Sequence, residues 1–420
     1  MSSCTVGISI DLQTTRRFVL GKQGLWPIRR WQGLQGCLSA LVACQALQVD
    51  PLSPAARSHE IALWGRVENI QRDYIEYLLY QQRACFEYGG GLFIYPIEER
   101  PYWMLAMRRR CEKGYWADFG REHASLVHYV RSALRDAPHA NRDYKSNNST
   151  QNYRGRRDTS LALYYLWITG EAVIHNRIHN QKMYALAQQY LPAETLQAKS
   201  DSFAEDYLAL KCVAFHGMIR ENAWRNCVSE AIRRQISSEE SKTWLGRMQE
   251  ANKLSLIRVE NMKDPQYVLA SDLSILENLQ NGMIPPEWGD TQHNPQVTFL
   301  APLEIVSARG RAKVLFGFEY LWEVYKPASL RRWGYYTLPI LYGEELVAHI
   351  DFSVEKKSKT LMIKGYWQEK DSLDAEYIPA LSTALVSFAS YVDSQKVDSI
   401  ACTGQKAIID AAELANRVLN

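Results

Sequence analysis

Residues 161–174 have the sequence LALYYLWITGEAVI, and this stretch carries the signature of the fold. Leu161 to Trp167 place apolar side chains at helical spacing, and Gly170 ends that pattern. The apolar run Ala172-Val173-Ile174, closed by Asn176, predicts the first strand of a small hairpin. A helix followed by a two-stranded hairpin is the plan of the winged helix, a variant of the helix-turn-helix whose usual ligand is DNA.

The same succession of helices and a short hairpin recurs along the first three quarters of the chain. Three copies are predicted, spanning Thr15 to Arg83, Asn141 to His179 and Asp201 to Asn261. Asn141 to Tyr144 are expected to cap and open a helix, and Lys145 to Tyr153 to form a polar loop. Other predicted elements are the helices Leu34–Leu47, Val67–Gln82 and Asp206–Phe215 and the strand Leu254–Val259.

The character of the sequence changes after Pro295. Aromatic and β-branched residues alternate in four stretches, Phe316–Tyr325, Trp333–Leu341, Leu346–Phe352 and Leu361–Trp367. With turn signals at Lys326-Pro327, Gly343-Glu344 and Lys356 to Ser358, they predict an antiparallel meander, followed by a helix over Ile378–Val392. The predicted fold class is α+β, with tandem winged-helix units and a β-rich C-terminal domain. The predicted boundaries are 1–135 (first winged helix with the motif described below), 136–195, 196–295 and 296–420.

Composition narrows the protein class. A chain of 420 residues with 46% hydrophobic and 23% charged residues is expected to form several soluble globular domains. The best candidate for a membrane span, Cys37 to Val49, is short and is interrupted by Gln45 and Gln48. The first residues lack the features of a signal peptide, so we expect no membrane partner and a cytoplasmic, nucleoid-associated protein.

Neither a metal site nor a cofactor is expected. The eight cysteines contain no Cys-x-x-Cys pair, which leaves no zinc or disulfide signature. His175 and His179 are four residues apart but lack a third ligand in a stretch predicted to be strand and turn.

Positive charge is concentrated in one window. Residues 100–158 hold 13 Lys or Arg against 6 Asp or Glu, which is +7, so the rest of the chain sums to −4 within the total of +3. Arg154, Arg156 and Arg157 lie at its end. The window is a candidate phosphate-binding face, and the alternative is an ordinary solvated helix surface.

Gln48 and Asp50 stand where a predicted helix passes into extended chain. Side chains two residues apart in extended chain face the same side, so an amide and a carboxylate are brought together. An aspartate ahead of a proline, here Pro51, is commonly a turn or cap residue, and the residues alone leave that alternative open.

Ordered stretches along nearly the whole chain resemble one family. They are Thr15–Leu20, Gln23-Gly24-Leu25, Leu47–His59, Leu63–Arg66, Phe86-Glu87-Tyr88, Gly170–Val173, Tyr184-Ala185-Leu186, Leu191-Pro192, Leu315–Tyr320, Glu323–Pro327, Arg331–Tyr336 and Leu338–Leu341. The pattern resembles the winged-helix DNA interstrand-crosslink glycosylases, which remove alkylated purines with a Gln-x-Gln or Gln-x-Asp motif.

The resemblance implies that Gln48 and Asp50 are the catalytic pair, in the Gln-x-Asp form of members with broad substrate tolerance. It implies a DNA repair glycosylase that hydrolyses the N-glycosidic bond of alkylated purine nucleotides and unhooks interstrand crosslinks. The expected partner is double-stranded DNA carrying such bases, bound by a monomer. No lysine lies beside the motif, so a monofunctional hydrolase is expected. The alternative is a non-catalytic winged-helix regulator or lesion sensor.

Two departures from the family pattern bear on the substrate. Gly89-Gly90-Gly91 stands where relatives continue with Trp and a nearby His, and Pro302 to Ser307 replaces a Pro-Phe-Asp type of segment. The glycines suggest a wider cleft for a bulkier lesion, or a loss of turnover.

Three further arginines, Arg57, Arg331 and Arg332, are candidate phosphate contacts. For Arg57 an alternative is an ion pair with a buried carboxylate such as Glu87. Tyr335 and Tyr336 are expected to alternate between solvent and core rather than to read a DNA groove.

Overall fold

Helices and short strands alternate through the chain, and the computed structural model describes residues 8–144, 158–178, 181–289 and 295–419. The α-helices are Leu12–Lys22, Gly33–Cys44, Ser58–Trp64, Tyr74–Tyr80, Arg100–Glu112, Tyr115–Glu122, Ala124–Asp136, Asp158–Ile168, Ala187–Tyr190, Asp201–His216, Glu221–Ile232, Ser238–Glu250, Leu273–Gln280, Arg311–Phe316, Tyr377–Tyr391 and Lys406–Leu419. Short 3-10 helices lie at Ile97–Glu99, Asn141–Asp143, Ala193–Leu196, Ala270–Asp272, Pro286–Trp288 and Ala328–Leu330.

The strands are short except near the C-terminus. They are Ser9–Ile10, Trp31–Gln32, Leu47–Gln48, Val67–Glu68, Cys85–Tyr88, Phe93–Pro96, Ala172–Ile178, Gln181–Leu186, Leu254–Val259, Gln266–Leu269, Val297–Phe299, Thr337–Tyr342, Glu345–Glu355, Thr360–Gln368 and Lys396–Asp398. The predicted α+β class is therefore confirmed.

The chain forms two compact units. The first comprises Met1–Ile75, Val213–Arg220 and Gln249–Asn420, and the second comprises Glu76–Cys212 and Glu221–Met248. The four-part division and the tandem winged-helix units stay predictions. The helix-then-hairpin order is present where Asp158–Ile168 precedes the 172–186 hairpin and where Ser238–Glu250 precedes the 254–269 hairpin.

The first unit is built around a five-stranded sheet. Its strands follow chain order from Val297–Phe299 to Lys396–Asp398, all antiparallel except the last pair. Gly343 has a φ of 57°, the left-handed conformation that a two-residue hairpin requires, and Tyr342 pairs with Glu345 across the turn. The strands after Thr337, the turns at Gly343-Glu344 and Lys356 to Ser358 and the helix Tyr377–Tyr391 confirm this part of the predicted meander.

Aromatic packing holds the helix Ser58–Trp64 against this sheet. The Trp64 indole stacks on Phe299 with ring centroids 5.2 Å apart, and Phe388 meets the same indole edge-on at 5.0 Å. Trp64 Nε1 also donates to Ser387 Oγ at 3.1 Å. Aromatic rings bury large apolar areas, so this cluster fixes the segment that leads from Asp50 into the helix.

The predicted strand Phe316–Tyr325 is wrong, and so is the first part of the strand Trp333–Leu341. Phe316 ends a helix, residues 317–336 form no strand, and the next strand begins at Thr337. Buried side chains replace the ladder here: Glu323 accepts from the backbone N–H groups of Arg332 and Trp333 at 2.8 and 2.9 Å. A backbone bonded to side chains has no need of a neighbouring strand.

The ring of His349 fastens the same segment. It lies fully buried between Phe318 and Trp333, with ring centroids 4.4 and 4.2 Å away, and its Nε2–H donates to Glu319 O at 3.0 Å. Burial lowers the pKa of His349 to about 4, so the ring is neutral at physiological pH. Alternating aromatic residues therefore mark a loop packed on a histidine, not a strand.

A smaller sheet completes the first unit. Ser9–Ile10 pairs in parallel with Arg258 and Val259, and Gln266–Leu269 pairs antiparallel on the other side. The strand Leu254–Val259 confirms its prediction. A further parallel pair joins Trp31–Gln32 to Val67–Glu68.

That last pair corrects the predicted helix Val67–Gln82. Asn69 follows the strand with a φ of 52°, which breaks a right-handed helix, and the helix covers only Tyr74–Tyr80. The helices predicted at Leu34–Leu47, Leu161–Trp167, Asp206–Phe215 and Ile378–Val392 are confirmed with shifted ends.

The second unit contains two antiparallel hairpins among helices. One joins Cys85–Tyr88 to Phe93–Pro96, and the other joins Ala172–Ile178 to Gln181–Leu186, which confirms the strand at Ala172 to Ile174. Asn141–Asp143 forms a 3-10 turn, whereas the predicted loop Lys145–Tyr153 and His179 lie outside the described residues.

The described residues hold neither a candidate membrane span nor a candidate metal site. Within that part of the chain no helix is long and apolar enough to cross a membrane, and no group of three or more His, Cys, Asp or Glu side chains is arranged to hold a metal ion.

Candidate active site

The Asp50 carboxylate is nearly buried and only partly bonded. The residue as a whole is 8% exposed. Its Oδ1 accepts a hydrogen bond from the backbone N–H of Leu52 at 2.8 Å, which closes a turn over Pro51. Oδ2 has no bonding partner among the described residues. Burial raises the pKa of Asp50 above its ordinary value, and the Leu52 hydrogen bond opposes that rise. The turn role and a raised proton affinity are therefore present in one side chain.

Gln48 precedes Asp50 on the strand Leu47–Gln48. Its side chain is half-buried, whereas Leu47 and Val49 on either side are buried. The apolar neighbours anchor the backbone, and the amide is left with access to solvent. An amide offers both donors and an acceptor, the groups needed to hold a water molecule.

The residues after the motif turn at once into a buried helix. Every residue of Ser58–Trp64 is buried, and Glu60 Oε2 accepts from the backbone N–H of Arg57 at 2.6 Å, so the helix start is capped from within. Pro54 O accepts from Val354 N at 2.9 Å, which ties the segment to the central strand Glu345–Glu355. The motif thus stands on a rigid support rather than on a free loop.

Asp351 fixes the backbone that carries Tyr336. Asp351 accepts from the N–H groups of Tyr335 and Tyr336 at 2.9 and 3.2 Å. Gly334 is required there, because a Cβ on it would lie 2.2 Å from Asp351 Oδ2. Burial, followed by the negative charges of Asp50 and Glu60, raises the pKa of the Tyr336 hydroxyl.

As predicted, the tyrosine pair divides between core and solvent. Tyr336 is fully buried and its hydroxyl has no partner among the described residues, whereas Tyr335 is exposed. Sequence analysis did not single out Tyr336 as a neighbour of Asp50, since nothing in the pattern RRWGYY relates to a motif so far away in the chain.

Arg66 and Glu304 form a fully buried ion pair in the same unit. The two guanidinium nitrogens Nη1 and Nη2 donate to the two carboxylate oxygens at 2.9 Å each, and Arg66 also donates to Ala62 O and Gln23 O. Burial alone lowers the pKa of Arg66, but the Glu304 charge outweighs burial and raises it. The departure at Pro302 to Ser307 therefore supplies a structural carboxylate.

The other departure lies in the second unit. Gly89 to Gly91 belong to the turn of the 85–96 hairpin, where Gly89 has a φ of 92° and added Cβ atoms on Gly89 and Gly90 would meet nothing. In the same hairpin Glu87 is bonded to Arg177 and to the Tyr80 hydroxyl. Glu87, named above as a candidate partner of Arg57, thus has a cation of its own.

Arg331 and Arg332 lie on the surface of the first unit. Arg331 Nε donates to Lys326 O at 3.0 Å and its guanidinium lies over Tyr335, 4.9 Å from the ring centroid. Arg332 pairs with Glu319 at 2.6 Å, with both side chains more than half exposed, and lies over Trp333. Exposed pairs of this kind exchange partners at little cost.

The basic window is partly a structural feature. Arg154, Arg156 and Arg157 lie outside the described residues. Arg100 is buried and donates to Thr195 O and Gly170 O, and Arg109 pairs with Glu205 at 2.6 Å. Charge counting could not show this, because these partners lie 70 to 96 residues further along the chain.

Comparison with known proteins identifies the family. A family model described as "DNA glycosylase AlkZ-like" matches residues 41–390, a range that contains Gln48, Asp50, the buried ion pair and Tyr336. The chain belongs to the AlkZ-like DNA glycosylase family. It is therefore a DNA glycosylase, a hydrolase acting on N-glycosyl bonds.

A solved structure agrees with this assignment at the level of the fold. The DNA glycosylase AlkZ of Streptomyces sahachiroi is similar over 93% of this chain and 99% of its own length, with a TM-score of 0.61 and 12% sequence identity. At that identity the likeness shows a shared fold.

Proposed function

We propose that this AlkZ-like glycosylase hydrolyses the N-glycosidic bond of alkylated purine nucleotides in duplex DNA, including purines held in interstrand crosslinks. Asp50 and Gln48 are the catalytic pair. The observation that carries the proposal is the Asp50 carboxylate, which is 8% exposed and has one oxygen bonded and the other without a partner among the described residues.

The chemistry needs little more than this pair. A purine alkylated on an imidazole nitrogen already bears positive charge, so its glycosidic bond breaks without a general acid. The remaining tasks are to stabilise the oxocarbenium-like sugar and to deliver water. The unbonded Asp50 oxygen stabilises the cation and takes the proton of the water, and the Gln48 amide holds that water.

Burial strengthens the role of Asp50. A carboxylate in a mostly buried residue acts on a developing positive charge through a lower effective dielectric than a carboxylate on an open surface, which makes the interaction stronger. Its raised pKa also makes it a better base than an exposed aspartate.

The broad substrate range is proposed from the resemblance to Gln-x-Asp glycosylases. A crosslinked base stays attached to both strands and cannot enter a closed pocket, so the lesion is approached along an open groove. The same proposal places the enzyme on DNA in the cytoplasm, acting as a monomer.

DNA is held mainly through phosphates. Arg57, Arg331 and Arg332 supply contacts in the first unit, and Arg154, Arg156 and Arg157 supply further ones. Affinity should fall steeply with salt, and charge reversal at Arg154 and Arg156 should weaken binding to all duplexes alike.

Single-turnover base release from N7-methylguanine DNA and from a crosslinked duplex tests the proposal. Asp50→Asn keeps the acceptor for Leu52 N–H, and it should lower the excision rate by roughly 10²- to 10⁴-fold with duplex affinity nearly unchanged. Gln48→Ala should lower the rate by about 10- to 10³-fold. Wild-type excision by Asp50→Asn would contradict the assignment and leave Asp50 as a turn residue.

A further inference from the structure

The loop from Glu323 to Trp333, here called the 323–333 loop, exposes two large apolar side chains. Tyr325 is 86% exposed and Leu330 is 67% exposed. Between them Pro327, Ala328 and Ser329 are exposed as well. Leu321, two residues before the loop, is 49% exposed. Contiguous exposed apolar side chains commonly mark an interaction surface.

The loop is held in one conformation. Glu323 is buried and closes it, with Oε1 accepting from Lys326 Nζ at 2.8 Å and Oε2 accepting from the N–H groups of Arg332 and Trp333. Inside the loop, Lys326 N–H donates to Glu323 O and Leu330 N–H donates to Pro327 O. The apolar tips are thus presented by a pre-organised scaffold, which reduces the entropy lost on binding.

The electrostatics of Glu323 support this picture. Burial raises the pKa of Glu323, but the bonds from Lys326 and from the two backbone N–H groups outweigh burial and lower it. The Glu323 carboxylate therefore stays ionised near neutral pH, and its hydrogen bonds across the loop are kept.

Cations flank the apolar tips. Lys326, Arg331 and Arg332 lie on the loop, and the two guanidinium groups lie over the rings of Tyr335 and Trp333. Arg331 donates to Lys326 O and Arg332 forms an exposed pair with Glu319, which leaves further N–H donors on each guanidinium group that suit phosphate oxygens. A rigid apolar tip bordered by cations is the chemistry of proteins that insert side chains between DNA base steps.

The loop also leads directly into the candidate active site. Its last residue, Trp333, stacks on His349, and the following Tyr335 and Tyr336 are bonded to Asp351. The Trp322 ring lies 5.7 Å from the Tyr325 ring and 6.3 Å from the Tyr336 ring, centroid to centroid, which ties the loop to Tyr336. Burial and then the charge of Asp50 raise the pKa of the Tyr336 hydroxyl. A side chain inserted by this loop would therefore act on a base step close to the nucleotide presented to Asp50.

We propose that Tyr325 and Leu330 form an apolar wedge that enters the base stack of duplex DNA beside the lesion, while Arg331 and Arg332 hold the adjacent phosphates. The inference rests on the proposed function of the Asp50 site. The wedge lowers the cost of unstacking the damaged nucleotide, a cost that an already unstacked single strand does not carry.

The test uses the full-length protein and a duplex with 2-aminopurine next to N7-methylguanine. Unstacking raises 2-aminopurine fluorescence, so wild type should give an increase that the double variant Tyr325→Ala, Leu330→Ala lacks. The double variant should also excise about 10- to 100-fold more slowly from duplex, with excision from single-stranded DNA within about twofold of wild type. The single variant Tyr325→Phe should keep most of the 2-aminopurine fluorescence rise, because it retains the ring.

Matched controls are Ile400→Ala and Val418→Ala, since these apolar side chains are 83% and 70% exposed elsewhere in the same unit. Both should behave as wild type. Unchanged fluorescence and duplex excision in the double variant would overturn the wedge. Fluorescence is also measured on Asp50→Asn. If Asp50→Asn loses excision but keeps the fluorescence rise, both proposals are supported. If Asp50→Asn excises at the wild-type rate, the catalytic assignment is wrong, and the fluorescence of the double variant alone decides the wedge.

Discussion

Asp50 and Glu304 are both buried carboxylates of the first unit, and they are held in opposite ways. Glu304 receives two guanidinium hydrogen bonds from Arg66, whereas Asp50 receives one backbone hydrogen bond and keeps an oxygen without a partner among the described residues. A buried charge with a complete set of donors belongs to the scaffold. Burial of the residue raises the pKa of Asp50, so its ionised form costs stability, and such a cost is typical of catalytic groups. Burial alone therefore does not mark an active site.

The largest expected effect lies at the paired carboxylate. Glu304→Gln leaves the Arg66 guanidinium buried without a counter-charge, so the free energy of unfolding should fall by about 3–5 kcal/mol in a denaturant titration. Excision per folded molecule should stay near wild type. Arg66→Met combined with Glu304→Leu removes both charges and should be less destabilised than the single variant. If Glu304→Gln instead abolished excision without a loss of stability, the contrast with Asp50 would fail.

The next effect is a pH dependence of stability caused by His349, a buried residue of the scaffold with no proposed part in catalysis. Burial holds the pKa of His349 at about 4, below its ordinary value near 6.5. The unfolded chain binds the proton more tightly, so the stabilising contribution is complete above pH 6.5 and is lost as the pH falls towards 4. The loss should reach about 3 kcal/mol.

Denaturant titrations of the wild type and of His349→Phe at several pH values measure this loss of unfolding free energy. The variant keeps an aromatic ring between Phe318 and Trp333 but cannot be protonated, so its unfolding free energy should depend less on pH. An equal slope in both proteins would place the titrating group elsewhere.

The titration of Asp50 should appear in the pH dependence of the excision rate. Burial raises its pKa, and only the carboxylate form acts, so the excision rate should fall about tenfold per pH unit below that pKa. The midpoint should lie above the value of about 3.9 for an ordinary aspartate. Single-turnover rates across the acid range check this, and the residual activity of Asp50→Asn should lack the same acid limb.

The sequence predicted those helices and strands that follow from local apolar periodicity, and it predicted the family from motifs that occur in order along the chain. The helix at Leu161–Trp167, the strand at Leu254–Val259 and the meander after Thr337 follow from apolar spacing, and the family follows from dispersed motifs. The predicted helix Val67–Gln82 is wrong at its start, because Val67 and Glu68 pair as a strand with Trp31–Gln32, and this tertiary contact outweighs their helix propensity.

Contacts between distant residues could not be predicted. The segment around Phe316–Tyr325 alternates like a strand, but Glu323 and His349 hold it as a loop. Arg66 and Glu304 are 238 residues apart, and no local pattern joins them. Gln48 and Asp50 came from the motif, whereas Tyr336 and the loop beside it needed the structure.

The central claim is that Asp50 is retained for chemistry and at a cost to stability. The most direct test measures denaturant unfolding and single-turnover excision on one preparation of Asp50→Asn at pH 7. Asparagine still accepts from Leu52 N–H and removes the buried charge, so the free energy of unfolding should be equal to wild type or higher by up to about 1–2 kcal/mol, while excision falls by at least about 10²-fold. A variant that unfolds about 1 kcal/mol more easily and excises at the wild-type rate would contradict the claim.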